Sequence, residues 1–350
     1  MTSLTQVSIL SRKIIRYSVY TAIFIVIARY TYLIGMKIYH KYVPEPPPPP
    51  TLTFGKLSAI PFPQIEVPKN LVFTLETVDG KLPKIPEQQA VYFMPKAIST
   101  IKSLDTAKQK AANLGFDQNG MALAETVYLF KHKSSPATLN LNIVTGLFSV
   151  SYDLNSKPSI LEGVPPEPKT ASALAKTYLS RAKSLPGDLS GPITNEYLKI
   201  QDGQLVPANS LSDANLTKIN LYRKNYNDLA NVTKTANQAN IWFMFTGARD
   251  GGDQVYAAEY HYFEIDENKS GTYPLKTSEQ AWEELKSGKA YFANISDKSN
   301  GNIIIRKVYL AYYDPDQYTE YYQPVVVFEG DENFVAYVPA VSSEYIQSGN

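Results

Sequence analysis

Twenty consecutive residues, Tyr17 to Met36, contain a single charged side chain, Arg29. As an α-helix they would rise about 30 Å, the thickness of a hydrocarbon core. A lone segment in lipid must satisfy its own backbone hydrogen bonds, so helix is the form open to it. The obstacle is the guanidinium. Val19, Ile23, Phe24, Ile25, Val26, Ile27, Leu33 and Ile34 together favour insertion by about 2.4 to 4.8 kcal/mol, against a cost of about 2.5 to 3.5 for a central Arg. The position of Arg29 decides the balance. It stands about 18 Å from Tyr17, within reach of the far headgroups along its own stem. Two readings stay open: Arg29 snorkels, or it pairs with an acidic residue in a partner's transmembrane helix.

The expected arrangement is a tail over residues 1–13 and a transmembrane helix over 14–36, with Tyr30, Tyr32 and Tyr39 as interfacial aromatics. No small-x-small site precedes the following prolines, which argues against a cleaved signal peptide. Arg12, Lys13 and Arg16 flank one end, and Arg29, Lys37 and Lys41 lie at or near the other, so the positive-inside count is a tie. A cytoplasmic N-terminus is chosen because the tail is short and the next segment resembles a surface stalk.

That segment, Pro44-Glu45-Pro46 through Pro50, predicts a polyproline II rod of roughly 20 Å. An SH3-like ligand is the alternative, and its place after a membrane helix favours stand-off from the bilayer. Pro61, Pro63 and Pro68 forbid helix in residues 51–68, so the spacer is placed at 37–68. The basic, tyrosine-containing anchor with its late Arg, the PPPPPTLTFGKL run and the IPFP segment together resemble a family of uncharacterised single-pass bacterial membrane proteins. The resemblance covers about the first 65 residues; it implies membrane attachment and no activity.

Charge is segregated. Residues 1–44 carry six basic and no acidic side chains, leaving 28 of the 34 basic residues against all 33 acidic ones, about −5 for the rest. A mildly acidic body is ill suited to phosphate backbones, and nucleic acid is excluded as an expected partner. The absence of cysteine removes thiolate nucleophiles, disulfides and thiolate metal sites.

Beyond the spacer the chain repeats itself. Asp105 is placed as the cap of a helix bearing Ala107, Ala111 and Leu114, ended by Gly115. Thr170 opens a second, with Ala171, Leu174, Tyr178, Ala182 and Leu185 on one face. Thr277 and Gln280 form a capping box for a third, with Ala281, Trp282 and Leu285 inward and Gly288 as stop. After each comes a strand of one form, TVYLFKH (126–132), KINLYRK (218–224) and KVYLAYY (307–313), then a hairpin: LNLNIVTG/LFSVSYD, IWFMFTG/QVYAAEYHYF and PVVVFEG/FVAYVPAV. Leu139, Leu141 and Ile143 alternate, and Phe148, Val150 and Tyr152 alternate back, as a half-buried hairpin requires. The predicted fold class is α+β: an N-terminal transmembrane helix followed by helix-plus-antiparallel-sheet repeats, a helix then three strands, in about three units. A first α+β domain is placed at 69–168 and a second, holding two units, at 169–346. The third unit, TSEQAWEELKSG with VYLAYYDPDQYTEYYQPVVVFEG and FVAYVPAV, looks like PepSY-type modules and is similar to extracytoplasmic regulators of cell-wall sensor kinases. That resemblance spans about 75 residues and implies binding or inhibition, with no catalytic residues to transfer.

The search for chemistry is short. His40, His132 and His261 form no metal-ligand spacing. No GxSxG elbow, GxGxxG or Walker loop is present. Asp266–Gly271 copies half an EF-hand loop, but position twelve is Thr277 where a bidentate Glu is required. Asp314, Asp316, Glu329, Asp331 and Glu332 occupy turns, where carboxylates are mostly solvated. Thirteen of 26 tyrosines fall between Tyr256 and Tyr345; they pack across strands or build an amphipathic recognition surface. Tyr312, Tyr313, Tyr318, Tyr321 and Tyr322, around an Asp314-Pro315-Asp316 turn, are the candidate binding surface, and Arg29 is the candidate intramembrane contact. The expected function is that of a membrane-anchored extracytoplasmic binding or regulatory protein of the bacterial envelope, non-catalytic and without cofactor. Its partners would be the lipid bilayer and an envelope protein or cell-wall polymer. Alternatives are an envelope hydrolase using acidic residues and a structural cell-surface component.

Overall fold

The structure, a computed structural model, describes residues 4–42, 48–65, 71–249, 251–295 and 301–347. The chain divides into two compact units, Met1–Pro49 and Pro50–Asn350. The first is one helix, α1 (Leu4–Tyr42), longer at both ends than the 14–36 segment expected. Nothing between residues 4 and 42 breaks a helix, since the first proline is Pro44. From Ile9 to Tyr39 this helix is long and apolar enough to cross a membrane, and every side chain over that stretch is exposed. The polyproline rod expected from Pro44 lies, up to residue 47, outside the described residues.

The second unit holds, in order, β1 (Val72–Leu75), β2 (Gln88–Phe93), α2 (Ser103–Asn113), β3 (Met121–Ala122), β4 (Val127–Lys131), β5 (Ala137–Asn142), β6 (Phe148–Tyr152) and α3 (Pro168–Arg181). Next come β7 (Ile193–Gln201), β8 (Gln204–Pro207), β9 (Leu216–Leu221), β10 (Asn231–Val232), β11 (Ile241–Phe245), the single turn α4 (Gly251–Gln254), β12 (Val255–Tyr260) and β13 (Asp266–Pro274). Last are α5 (Ser278–Lys286), β14 (Tyr291–Asn294), β15 (Asn302–Tyr313), β16 (Tyr321–Tyr322), β17 (Pro324–Gly330) and β18 (Val335–Pro339).

The α+β class and the recurring unit are both present. After α2, strands β4, β5 and β6 pair antiparallel in sequence. After α3 the same is true of β9, β11 and β12, and after α5 of β15, β17 and β18. The first two units do not stand alone. Their last strands, β6 and β12, pair antiparallel, giving one nine-stranded sheet ordered β3-β4-β5-β6-β12-β11-β9-β7-β8. The sheet is therefore continuous across residues 168 and 169. α2 and α3 cover one of its faces: Ala107, Ala111, Ala175 and Leu179 share a core with Leu139, Val150, Ile219, Phe243 and Ala258. Phe148 stacks on Tyr260 across the seam at 4.9 Å.

The third unit builds a separate six-stranded sheet, β1-β15-β17-β18-β14 with β10 also on β15. α5 covers one face, where Ala281 and Leu285 meet Val326, Phe328, Ala336 and Val338. The opposite face is also covered: Ala311, Tyr313, Val325, Val327 and Tyr337 lie under Ile60, Phe62, Val232 and Ala236. A register shift between Ile305 and Lys307 on β15 marks a bulge, which bends a strand and changes its direction. Before it β15 pairs with β1, and at its end with β10. A three-stranded sheet, β13-β2-β16, completes the fold.

Residues 51–62, expected in the spacer, belong to the folded body. Leu57 is fully buried and its amide donates to the Tyr345 carbonyl at 2.8 Å. Gln323 Nε2 donates to the Ser58 carbonyl at 2.8 Å, and Phe62 stacks on Tyr291 at 4.9 Å. The segment holds no helix, as expected, but it is not extended throughout: the Gly55 amide donates to the Leu52 carbonyl at 3.0 Å across a turn in which Leu52 and Gly55 both take positive φ, and the whole stretch is strapped down. Helix starts also differ from expectation. α2 begins at Ser103 with Asp105 inside its first turn, and α3 begins at Pro168, two residues before Thr170, because proline suits the first helical turn. Leu185 lies beyond the end of α3 and is exposed. The Thr277–Gln280 capping box is present on α5. Asp266–Gly271 is strand with a register shift between Asp266 and Ser270.

Candidate functional site: a cleft against the second face of the C-terminal sheet

Nineteen residues, 222–240, connect β9 to β11, a long loop for a compact fold and the kind that carries function. It is held at its base by Arg223, which is 2% exposed. The guanidinium donates through Nε to Asp314 at 2.9 Å, through Nη1 to Asp188 at 2.8 Å and through Nη2 to the Phe263 carbonyl at 2.5 Å. It also lies 4.0 Å from the Tyr262 ring centroid. Burial opposes the charge, but Asp314 and Asp188 outweigh it and hold the guanidinium protonated. Tyr226 and Tyr262 each donate to Asp188 at 2.9 Å. Asn231 donates to the Arg223 and Lys224 carbonyls at 3.1 and 2.8 Å and accepts from Tyr322. Asn227, Asp228 and Asn237 take positive φ, the residue types that tolerate the left-handed region. Gly191 lets the start of β7 close on this base, since a Cβ there would stand 1.8 Å from the Arg223 carbonyl oxygen.

A cleft of about 220 Å³ lies between this loop and the face of the six-stranded sheet opposite α5. Its floor is Tyr309, Glu329, Val335 and Tyr337; its walls include Thr194, Tyr222, Asn225, Thr233 and Asn237. The floor follows from strand alternation: Lys307, Tyr309, Ala311 and Tyr313 share one face of β15. Tyr309 donates to Glu329 Oε1 at 2.5 Å, and Lys307 Nζ sits 3.7 Å from Glu329 Oε2 and 4.3 Å from the centre of the Tyr309 ring. Burial pushes the Tyr222 hydroxyl up to about 12. Burial, reinforced by the Glu329 hydrogen bond, raises Tyr309 as well, so both remain hydroxyl donors at neutral pH. Among the described residues the side-chain amides of Asn225 and Asn237 make no hydrogen bond, and both residues are exposed.

The tyrosines picked out from the sequence lie elsewhere. Tyr312 and Tyr322 are 0% exposed and stack on each other at 4.9 Å, with the Tyr312 hydroxyl donating to the Ala90 carbonyl at 2.7 Å. Tyr313 is buried under Phe62, and Tyr321 is buried against Phe54. Tyr318 is half-buried and donates to the Met94 carbonyl at 3.1 Å. Four of the five are core, not surface: Tyr312 and Tyr313 lie on β15, whose sheet is covered on both faces, and Tyr321 and Tyr322 are buried on β16 of the three-stranded sheet, while Tyr318 lies in the loop before β16. The Asp314-Pro315-Asp316 turn does not project either: Arg223 holds Asp314, and Lys234 holds Asp316 at 2.6 Å. Arg29 is exposed on α1. Of the three rings that line the cleft, Tyr337 belongs to the FVAYVPAV return strand, and Tyr222 and Tyr309 sit inside the repeated KINLYRK and KVYLAYY segments. Their period-2 offset from the buried residues was the available signal, together with the long turn-rich loop 222–240.

His132 packs edge-on against Phe116 at 5.1 Å. His261 joins Glu259 at 2.8 Å. Among the described residues no group of three or more His, Asp or Glu side chains is placed to hold a metal ion.

No protein-family model matches the chain, and no curated protein does. Solved structures similar to it include an uncharacterised protein from Eubacterium rectale ATCC 33656 and the Bacillus megaterium YpeB C-terminal domain. The first is 12% identical, covers 75% of this chain and 86% of its own, and has a TM-score of 0.41. The second is 11% identical, covers 71% of this chain and 95% of its own, and has a TM-score of 0.30. Likenesses of that degree assign neither family nor activity to this α+β chain with its N-terminal apolar helix.

Proposed function

We propose that this is a membrane-anchored, extracytoplasmic binding or regulatory protein whose binding site is the cleft between loop 222–240 and the C-terminal sheet. The carrying observation is the pair of uncommitted amides, Asn225 and Asn237, beside the half-buried Tyr222 ring in a cleft fixed from below by Arg223. Polar groups converging on aromatic surface in a preformed concavity are the usual makings of a binding site. A non-catalytic reading draws support from the lining, where Glu329 is the sole carboxylate; acid–base hydrolysis of a glycosidic bond employs two. α1, with its exposed apolar surface from Ile9 to Tyr39, would hold the protein to the bilayer, and the proline-rich linker would carry the folded body on the outer side.

The test is photo-crosslinking in native membranes from a reactive residue replacing Asn237. An adduct with an envelope protein or wall polymer is expected from this position and not from Met121, exposed on β3 at the far edge of the nine-stranded sheet. Equal labelling from both positions, or none from 237, would count against the cleft.

A further inference from the structure

Resting on the binding reading, we infer that the cleft receives one uncharged sugar ring at a time, the unit of a longer neutral glycan. Size sets the first limit. Its 220 Å³ falls below the roughly 300–1,000 Å³ that encloses a drug-sized ligand, so one ring or one side chain fills it.

Charge sets the second. Apart from tyrosine hydroxyls, Glu329 is the ionisable group of the lining, and both of its oxygens are answered from within the protein. Tyr309 takes Oε1 at 2.5 Å and Lys307 stands 3.7 Å from Oε2. An anionic ligand would find no cation in the lining. A cationic one would have to displace Lys307 from both Glu329 and the Tyr309 ring it covers at 4.3 Å.

The groups left over are neutral. Each side-chain amide of Asn225 and Asn237 offers two donors and an acceptor, and a sugar hydroxyl both gives and takes a hydrogen bond. The Tyr222 ring supplies an apolar face with a polar tip, suited to the C–H face of a pyranose. The walls are already ordered, because Asn231 and Arg223 fix the loop, so little freedom is lost on binding.

The test uses the full chain in lipid nanodiscs free of glycoside detergents, with saturation-transfer NMR on three probes: tri-N-acetylglucosamine, tri-glutamate and tri-lysine. Transfer to the trisaccharide alone is expected, abolished in Tyr222→Ala, retained in Tyr222→Phe, and weakened at least about tenfold in Asn237→Ala. Transfer only to a charged probe, lost in Tyr222→Ala, would overturn the sugar inference and leave the cleft as the binding site. Silence from all three probes with an unchanged melting temperature would overturn both. Trisaccharide binding unaffected by Tyr222→Ala and Asn237→Ala would overturn its placement in this cleft.

Discussion

Single residues decide where this fold stands firm. Arg223 is buried with Asp188 and Asp314, and removing one partner of such a network strands charge in the interior. Arg223→Leu is therefore expected to destabilise the protein by about 3–5 kcal/mol. The two tryptophans, Trp242 and Trp282, sit by different sheets, so their fluorescence in a urea titration reads this loss over the whole body. His261 and His132 pull stability in opposite directions with pH. The Glu259 hydrogen bond raises His261 above 6.5, so its contribution is full below that value and fades as pH rises through its higher folded value. Burial lowers His132 below 6.5, so its contribution is full above that value and fades as pH falls through its lower folded value. Between about pH 8 and 5, Glu259→Gln should make stability fall more steeply on acidification, and His132→Gln should make it fall less. Identical urea midpoint profiles in wild type and both variants would contradict this.

Among the elements, local signals were legible and joints were not. The strands of the first hairpin could be read from alternation, the rest of the nine from the recurring strand-and-hairpin pattern, and α5 from its capping box, because these patterns lie within a few residues of one another. Thr277→Ala, which removes that box, should cost about 1 kcal/mol in chemical denaturation. The pairing of β6 with β12 was not legible, since neither strand carries a local mark of its partner across the intervening helix. The β7–β8 hairpin could have been found, because Asp202 and Gly203 at its turn both take positive φ and Asp-Gly is a strong hairpin signal. The tyrosines of 312–322 were misplaced for a related reason. Alternation shows which residues share a face but not that both faces are covered. The strap 51–62 does some of that covering, and it reads in sequence as more linker. Leu57→Ala, at a fully buried position, should cost about 2–5 kcal/mol and expose the strap to proteolysis near Gly55. A strap equally resistant in both proteins would show that this segment is not integral.

At the scale of the whole chain, basic charge is concentrated before residue 45 and a mildly acidic body follows. An apolar helix with exposed side chains precedes a folded body with a small neutral cleft. Those features agree with attachment of a binding module to a bilayer. The guanidinium of Arg29 is the point of tension in that scheme. Arg29→Leu should leave membrane attachment intact, and any fall in co-purified membrane partners would favour its pairing with an acidic residue over snorkelling. The most direct test of the scheme is protease treatment of intact cells followed by alkaline washing of their membranes. The expected result is a membrane fragment retaining α1 and loss of residues 50–350 to protease. Full-length chain in the soluble fraction, or a body untouched until the cells are lysed, would contradict it.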